Sequence, residues 1–317
     1  MAVTRSYFVA EPLGPANLDA CRPLWGDRAA WRAADFERML ERVRRWLACD
    51  RARGRLLRDE HGRPRAFGVS VFVSPAVADR LATTTSPQLG RQLLEDEACD
   101  ASVLGPREVA RGNAGAGLQL LVVNQGYDDS GLHDDEWATL LGQLIHAFLE
   151  THTGFRVSRA IIETFGRRGV AFVAESWPGV TCADVVTVDG LRLPSARWTV
   201  TQASAERQGG GLLPLFLYRP PTLGLSHAER VVLAAALTFG TDTAIAEALR
   251  LPLATVKGRW SRIFRRVAST PIGDRLSASK AADRRGPQSR HILLEYLRRN
   301  PWELTGYDRS GKTMPEE

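Results

Sequence analysis

The stretch Leu225–Val267, LSHAERVVLAAALTFGTDTAIAEALRLPLATVKGRWSRIFRRV, determines how the C-terminal part of the chain is interpreted. Its apolar periodicity predicts three short helices joined by tight turns. Ser226 precedes Glu229 by three residues, which is the capping-box spacing that starts a helix. Gly240 is expected to end this first helix, and Pro252 suits the first turn of the third.

The third helix is predicted to run from about Leu253 to Val267, with two contrasting faces. Its apolar residues recur at three- and four-residue steps: Val256, Trp260, Ile263, Phe264 and Val267. The residues predicted to contact DNA lie mostly on the other face: Thr255, Lys257, Gly258, Arg259, Ser261, Arg262, Arg265 and Arg266. Lys and Arg neutralise phosphates and reach guanine edges, so this helix suits a major groove. A solvated amphipathic surface helix is the alternative, but the preceding helix and turn favour the DNA-binding interpretation.

This stretch resembles the C-terminal DNA-binding domain of LuxR/GerE-type transcription regulators, over about a seventh of the chain. The positions that carry the resemblance, without a gap, are Leu225, Ser226, Glu229, Arg230, Val232, Leu233, Ile245, Ala246, Glu247, Leu249, Leu251, Thr255, Val256, Lys257 and Ile263. The resemblance implies that Thr255 and Lys257 touch DNA and that Val256 packs inside. It also implies that Arg259 and Arg262 lie near the DNA backbone or base edges. The chain departs from the family pattern at Phe239, Pro252 and Gly258.

The Pro-x-x-Thr-Val-Lys-x-Arg pattern is also similar to region four of sigma factors. A sigma factor needs a promoter-melting helical domain upstream, and residues 1–215 show no such run of basic and aromatic helices. A sigma-factor-like or nucleoid-associated DNA binder therefore remains a secondary alternative.

Charge is unevenly distributed along the chain. The net charge is +6 over 317 residues, but the segment from Arg250 to Arg299 contains thirteen Lys and Arg residues and only three acidic residues. This asymmetry predicts a polyanionic partner for the C-terminal end, here double-stranded DNA.

Cysteine spacing and hydropathy exclude several other classes. The four cysteines, Cys21, Cys49, Cys99 and Cys182, form no CxxC pair, which argues against structural zinc and a disulfide scaffold. The N-terminus lacks the apolar core of a signal peptide, and no run of about 18 apolar residues predicts a membrane span. We therefore expect a cytoplasmic protein with no membrane partner.

The residues before the basic stretch predict an α/β domain. The expected order is a strand, two helices, a hairpin, a buried strand, a long helix and further strands. The segments are a helix at Ala34–Arg53, a hairpin of Arg55–Asp59 and Ala66–Val73, a strand at Gly117–Asn124, a helix at Glu136–Thr151, and further strands at Phe155–Phe165, Val170–Glu175, Val185–Val188 and Trp198–Thr201. The first of these helices carries its apolar stripe on one face: Phe36, Leu40, Val43 and Leu47. This order resembles the α/β layer of GNAT acetyltransferases, as a topological likeness. PAS- or GAF-like sensor folds fit the strand content nearly as well.

The predicted fold class is an α+β N-terminal domain followed by an all-α helix-turn-helix domain. The predicted parts are a sensor or dimerisation domain at 1–211, a linker at 212–224, a LuxR-like DNA-binding domain at 225–270, and a basic loop, amphipathic helix and tail at 271–317. The amphipathic helix, Ser289–Arg299, is expected either to pack back on this domain or to pair with a second subunit.

An acetyl-CoA site requires a Q/R-x-x-G-x-G/A turn that wraps the pyrophosphate in backbone N–H groups. After Asn124 the chain reads Gln-Gly-Tyr-Asp-Asp instead, which is rich in negative charge. The glycines at 112, 115 and 117 precede a predicted strand rather than a helix, so they fit a flexible loop better than a phosphate cradle. We therefore expect no cofactor.

Other patterns predict no catalytic or metal site. The acids Asp134, Asp135 and Glu136 crowd a helix start, where they complement the dipole rather than bind metal. Glu163 and Glu175 are candidates for a carboxylate pair on neighbouring strands, but nothing in the sequence fixes their distance. Nine aromatic residues either line a ligand pocket or, more commonly, form ordinary core: Tyr7, Trp25, Trp31, Phe67, Phe72, Tyr127, Phe155, Phe172 and Trp177.

These patterns together predict a LuxR-like transcription regulator that is not an enzyme. It would read duplex DNA through Leu253–Val267, bind as a homodimer, contact RNA polymerase, and sense an unidentified small molecule or partner through its N-terminal domain. The alternative hypothesis is an acyltransferase-like domain fused to a DNA-binding module.

Overall fold

The computed structural model describes residues 8–96, 98–177, 179–274 and 287–304. The chain divides into two compact units. Unit 1 comprises residues 1–152 and 156–217, and unit 2 comprises residues 153–155 and 218–317. The main boundary, after Leu217, falls within the segment 212–224 that was predicted as a linker. Each unit has a hydrophobic core of its own.

Unit 1 is built on a seven-stranded mixed sheet. The strands are β1 Val9–Pro12, β2 Ala52–Arg58, β3 Pro64–Val73, β4 Leu118–Tyr127, β5 Val157–Phe165, β6 Thr181–Val186 and β7 Arg192–Thr201. Their spatial order is β1-β2-β3-β4-β5-β7-β6. Strands β4 and β5 are parallel, and every other neighbouring pair is antiparallel.

Helices cover both faces of this sheet. They are α1 Ala33–Ala48, α2 Pro75–Thr83, α3 Leu89–Glu95, α4 Cys99–Ser102, α5 Pro106–Ala114, α6 Asp134–His152, α7 Arg167–Ser176 and α8 Gln202–Arg207. On one face, α1 places Leu40 and Val43 in a core with Phe67 and Ile161. On the other face, α6 buries Leu140 and Leu144, among others, in a smaller core. Short 3-10 helices at Leu18–Leu24, Arg28–Ala30 and Leu213–Phe216 complete the unit.

Two local sequence expectations for unit 1 were wrong. Val170–Glu175 is not a strand but lies within α7. Gly166, at a φ of +88°, turns the chain out of β5, and a short apolar run does not by itself distinguish strand from helix. The glycine-rich segment interpreted as a loop is partly helical, because α5 extends to Ala114.

Strands β4 and β5 are paired over only part of their length. Their register runs from Leu118 opposite Val157 to Leu121 opposite Ile161. Beyond that point β4 continues to Tyr127, paired with β3, while β5 continues beside β7. The two parallel strands therefore separate towards their carboxyl ends.

Unit 2 is helical. Its helices are α9 His227–Thr238, α10 Asp242–Ala248, α11 Leu253–Val267 and α12 Pro287–Arg299, with a 3-10 helix at Pro301–Leu304. Ser226 and Glu229 form the expected capping box at the start of α9. That helix ends at Thr238 rather than at Gly240, because Phe239 already adopts an extended conformation. In the described part of the chain, no single helix is long and apolar enough to cross a membrane; α9 and α10 meet that criterion only when taken together across their 116° bend.

The C-terminal helix of unit 2 packs against its own core. Leu293 and Leu297 of α12 are fully buried with residues of α9 and α11. The buried Glu303 carboxylate then accepts hydrogen bonds from the backbone N–H groups of Thr222 and Leu223, at 2.8 and 2.9 Å. The Thr222 hydroxyl, at 2.6 Å, and the Tyr296 hydroxyl, at 3.1 Å, also donate to it. One carboxylate thus joins the two ends of unit 2.

Candidate functional site

Unit 1 contains an apolar cavity of about 250 Å³ between the sheet and its covering helices. A water molecule needs only some 10–15 Å³ on such a measure, so the space admits a ligand of many atoms. The lining residues come from β2–β5, β7, α6, α7 and the segment after α8: Gly54, Arg55, Gly68, Val69, Ser70, Val122, Gln125, Tyr127, Leu141, Leu144, Ile145, Phe148, Thr151, His152, Ile162, Thr164, Gly169, Phe172, Val173, Ser176, Trp177, Trp198, Gln208, Gly211 and Leu212. Most of these side chains are apolar, so the wall favours an apolar occupant.

The cavity lies where β4 and β5 separate. Val122 and Tyr127 of β4, and Ile162 of β5, all lie beyond the last paired residues and all line the cavity. The lining also reaches from Arg55 on β2 to Trp198 on β7, which are four strand spacings apart in the sheet order. Four spacings amount to about 19 Å, so the cavity is elongated across the strands.

A missing side chain in β3 helps to open this space. A Cβ atom built on Gly68 meets no atom nearer than the Cβ of Gln125, at 4.0 Å. Most strand positions carry a side chain that fills such a volume. The glycine therefore leaves room on the cavity side of the sheet.

The side chains of Ser70 and His152, in the cavity wall, are hydrogen-bonded to each other. The Oγ of Ser70 lies 2.8 Å from Nε2 of His152, and Nδ1 of His152 lies 2.7 Å from the carbonyl oxygen of Phe148. The Nδ1–H therefore donates to Phe148, and Nε2 accepts from the serine hydroxyl. Burial lowers the pKa of His152 to about 3, so the imidazole is neutral at physiological pH. Such a weak base does not activate Ser70 as a nucleophile, and the pair contributes polarity without charge.

Arg55 is the one charged side chain among the described residues that line the cavity. Its Nε donates to the hydroxyl of Thr151, at 3.0 Å, so the guanidinium is held near the end of α6. The positive charge therefore lies at the β2 end of the cavity.

Trp198, at the opposite end, carries an unsatisfied donor. The residue is 8% exposed, and its Nε1–H finds no acceptor among the described residues. Its ring forms part of the cavity wall. A buried indole N–H normally has a hydrogen-bond partner, so this donor requires an explanation.

A buried polar network occupies the other face of the sheet. The carboxylate of Glu163 accepts from the backbone N–H groups of Gln88 and Leu89, at 2.8 and 2.6 Å. Asp27 accepts from the side-chain amides of Gln88 and Asn124, each at 2.9 Å. Burial raises the pKa of Glu163 to about 7 and also raises that of Asp27. Since both carboxylates are buried and hydrogen-bonded, we assign them a structural role in fixing the start of α3.

The eight residues predicted to contact DNA all lie on α11, mostly on its exposed side. Lys257, Gly258, Ser261, Arg262, Arg265 and Arg266 are exposed, whereas Thr255 and Arg259 are half-buried. Two of the cations are held by groups of α9, whereas Arg262 donates only to the carbonyl oxygen of Gly258 in its own helix, at 3.4 Å. Arg259 donates to the carbonyl oxygen of Ala228, at 3.3 Å, and Arg266 lies 3.1 Å from the buried Glu229 carboxylate. Lys257, Arg262 and Arg265 are therefore the more available cations.

Other predicted residues are dispersed by the fold. Glu163 is buried on β5, but Glu175 is exposed on α7, so the two do not form a carboxylate pair on neighbouring strands. Three of the nine candidate aromatic residues, Tyr127, Phe172 and Trp177, line the cavity. Tyr7 lies outside the described residues.

Sequence reasoning missed Trp198, which it assigned only to a strand, and the sequence held no signal that distinguished it from a core residue.

The comparisons with known proteins concern mainly the N-terminal part. No family model and no curated protein matches the chain. Among solved structures, the chain is similar to FeeM, an N-acyl amino acid synthase from uncultured soil microbes, with 14% identity over 66% of this chain and 96% of that one, at a TM-score of 0.34. It is also similar to the spermidine/spermine N-acetyltransferase SpeG from Vibrio cholerae, with 8% identity over 63% of this chain and 95% of that one, at a TM-score of 0.35.

These findings correct two sequence-based expectations. The prediction that the chain is not an enzyme is contradicted by these comparisons, since the solved structures similar to it are an N-acyl amino acid synthase and an N-acetyltransferase. The assignment as a LuxR-like transcription regulator is contradicted as well, because no family model matches the chain and the solved structures similar to it are of a different kind. The mixed α/β fold of unit 1 agrees with the GNAT-like part of the expectation.

Proposed function

We propose that unit 1 is an acyl-transfer unit that holds the acyl chain of its substrate in the cavity. The observation that carries this proposal is the position of the cavity, which lies on β4 and β5 at the point where these parallel strands separate. An opening between two strands gives a chain-like ligand a route to backbone and side-chain polar groups. The apolar space beside it accepts the hydrocarbon part.

The magnitude of apolar burial favours a chain over a small acyl group. Each buried methylene contributes about 0.8 kcal/mol, so a chain of roughly eight carbons contributes about 6 kcal/mol before the cost of ordering it. An acetyl group fills little of a 250 Å³ cavity. We therefore expect medium or long acyl chains as substrates.

The reaction balances as a simple transfer. The acyl carbonyl carbon forms a bond to the nucleophilic nitrogen or oxygen of an acceptor, and its bond to the leaving thiol breaks. The proton lost by the acceptor passes to the departing sulfur. Orientation of the two substrates is the contribution that such a cavity makes.

The test is a transfer assay with the full-length chain. Acyl thioesters of about four to sixteen carbons are incubated with a mixture of amines and alcohols, the chain length being varied because burial scales with it. Thiol release is followed spectrophotometrically, and products are identified by mass spectrometry. We expect the rate to rise with chain length to a maximum. Thiol release no faster than in buffer, for every thioester, would refute the proposed transfer.

A separate proposal concerns unit 2 and the partner expected from its charge. We propose that Lys257, Arg262 and Arg265 contact the phosphates of a nucleic-acid duplex, because these cations lie exposed along one helix. Lys257→Ala should weaken binding to any duplex and lower the slope of log affinity against log salt by about one unit. Arg298→Ala removes an equal, exposed charge from α12 and serves as the control. Equal slopes in the wild type and Lys257→Ala would contradict a phosphate contact.

A further inference from the structure

One end of the cavity carries a hydrogen-bond donor without an acceptor. Trp198 lines the cavity from β7, and its Nε1–H has no partner among the described residues. Leaving a buried donor unsatisfied is costly, so a buried N–H without a protein acceptor normally bonds to a water molecule or a ligand. The apolar cavity beside the ring is the space from which an acceptor can come.

The surroundings of Trp198 define the kind of acceptor. Successive side chains of a strand point to opposite faces, so Arg197 lies on the other side of the sheet, opposite Glu163 in the register. Arg55, the charged lining residue, belongs to β2, which is four strand spacings, or about 19 Å, from β7. No cation of the described lining is therefore near Trp198, and a carboxylate placed there would be buried without a counter-charge.

The polar pair next to Arg55 adds no further charge to the cavity wall. The hydroxyl of Ser70 and the imidazole of His152 are bonded to each other, so they offer a ligand no net charge. The room left by Gly68 is bounded on the β4 side by the Cβ of Gln125, its partner in the register. The path from Trp198 towards β2 is thus suited to hydrocarbon.

We propose that Trp198 Nε1–H donates to the carbonyl oxygen of a neutral acyl ligand — an ester, amide or thioester — whose chain extends towards β2. This inference rests on the proposed acyl-chain cavity and sets the orientation of the chain within it. The Nε1 atom itself is covered by neighbouring atoms, so the contact requires a small turn of the ring towards the ligand.

The test compares four ligands that share one alkyl chain: a methyl ester, a primary amide, a carboxylate and the plain hydrocarbon. Their affinities for the full-length protein are measured by titration calorimetry. We expect the ester and the amide to bind more tightly than the hydrocarbon and the carboxylate. Trp198→Phe keeps the aromatic ring but removes the donor, so it should reduce ester affinity by about three- to tenfold and leave hydrocarbon affinity unchanged.

Two further measurements keep the inference testable if this variant is poorly folded. In the wild type, the indole N–H resonance of Trp198 should shift downfield when the ester binds and much less when the hydrocarbon binds. Trp177→Phe, at a half-buried position that also lines the cavity, is the matched control and should retain the preference for the ester.

The outcomes separate this inference from the proposed reaction. A preference for the carbonyl ligands that depends on Trp198 supports the inference even where no acyl transfer is detected. Equal losses of ester and hydrocarbon affinity in Trp198→Phe would show a packing role and overturn it, even where transfer is active.

Discussion

Filling the space at Gly68 gives the most direct test of the cavity. Gly68→Val adds three carbon atoms on the cavity side of β3, where a new Cβ has no neighbour nearer than 4.0 Å. The added carbons displace about three methylenes of a bound chain. At about 0.8 kcal/mol for each methylene, the binding free energy of a long chain weakens by about 2.4 kcal/mol, which lowers its affinity about 50-fold.

The dependence on chain length distinguishes a blocked cavity from a damaged fold. Titration calorimetry with a homologous ester series should show a large loss for long chains and little loss for short ones, which fit in the remaining space. Thermal stability should not fall, because valine favours a strand more than glycine does and fills empty volume. Gly142→Val, at an exposed position of α6, adds the same side chain outside the cavity and should leave every affinity unchanged. Unaltered long-chain affinity in Gly68→Val would refute the assignment of this cavity as the chain site.

Two further predictions concern buried carboxylates. The pKa of Glu163 is about 7 in the folded protein, against the reference value of 4.5 for an unfolded chain. Because the folded state holds this proton more tightly, unit 1 loses about 3 kcal/mol of stability as the pH rises from 4.5 to 7. Glu163→Gln removes this titration, so the unfolding free energy of the variant, measured in denaturant titrations, should increase relative to that of the wild type between pH 4.5 and pH 7. If the unfolding free energies of both proteins change in parallel with pH, the raised pKa of Glu163 is contradicted. Glu303→Ala leaves the N–H groups of Thr222 and Leu223 without their acceptor and should destabilise unit 2 by about 3 kcal/mol, seen as faster amide hydrogen exchange in α12. Unchanged exchange in α12 would show that this carboxylate does not hold the ends of the unit together.

The sequence predicted the elements whose signals are local. The stripe of Phe36, Leu40, Val43 and Leu47 marked α1, and the spacing of Ser226 and Glu229 marked the start of α9. Periodicity and capping depend on residues within one or two turns, so a single sequence contains them.

The cavity depends on relations that a single sequence does not display. It exists because Gly68 leaves space, because β4 and β5 stop pairing after Leu121, and because α6 and α7 cover the gap. Neither the register of parallel strands nor an absent hydrogen-bond partner is a property of neighbouring residues. The missing partner of Trp198 was therefore visible only once the fold had brought β7 to one end of the cavity.

The start of α6 bears on how an acyl donor is held. A helix N-terminus binds phosphate groups through free backbone N–H groups, but here the first turn carries Asp134, Asp135 and Glu136. Glu136 already accepts from the backbone N–H of His133, at 3.0 Å, and negative side chains at this position repel a pyrophosphate. The phosphate-containing leaving group of an acyl thioester therefore gains little binding energy at this helix. Most of the binding energy of the acyl donor has to come from its hydrocarbon chain. It follows that selectivity should depend on the length and the carbonyl of the chain more than on the identity of the leaving group.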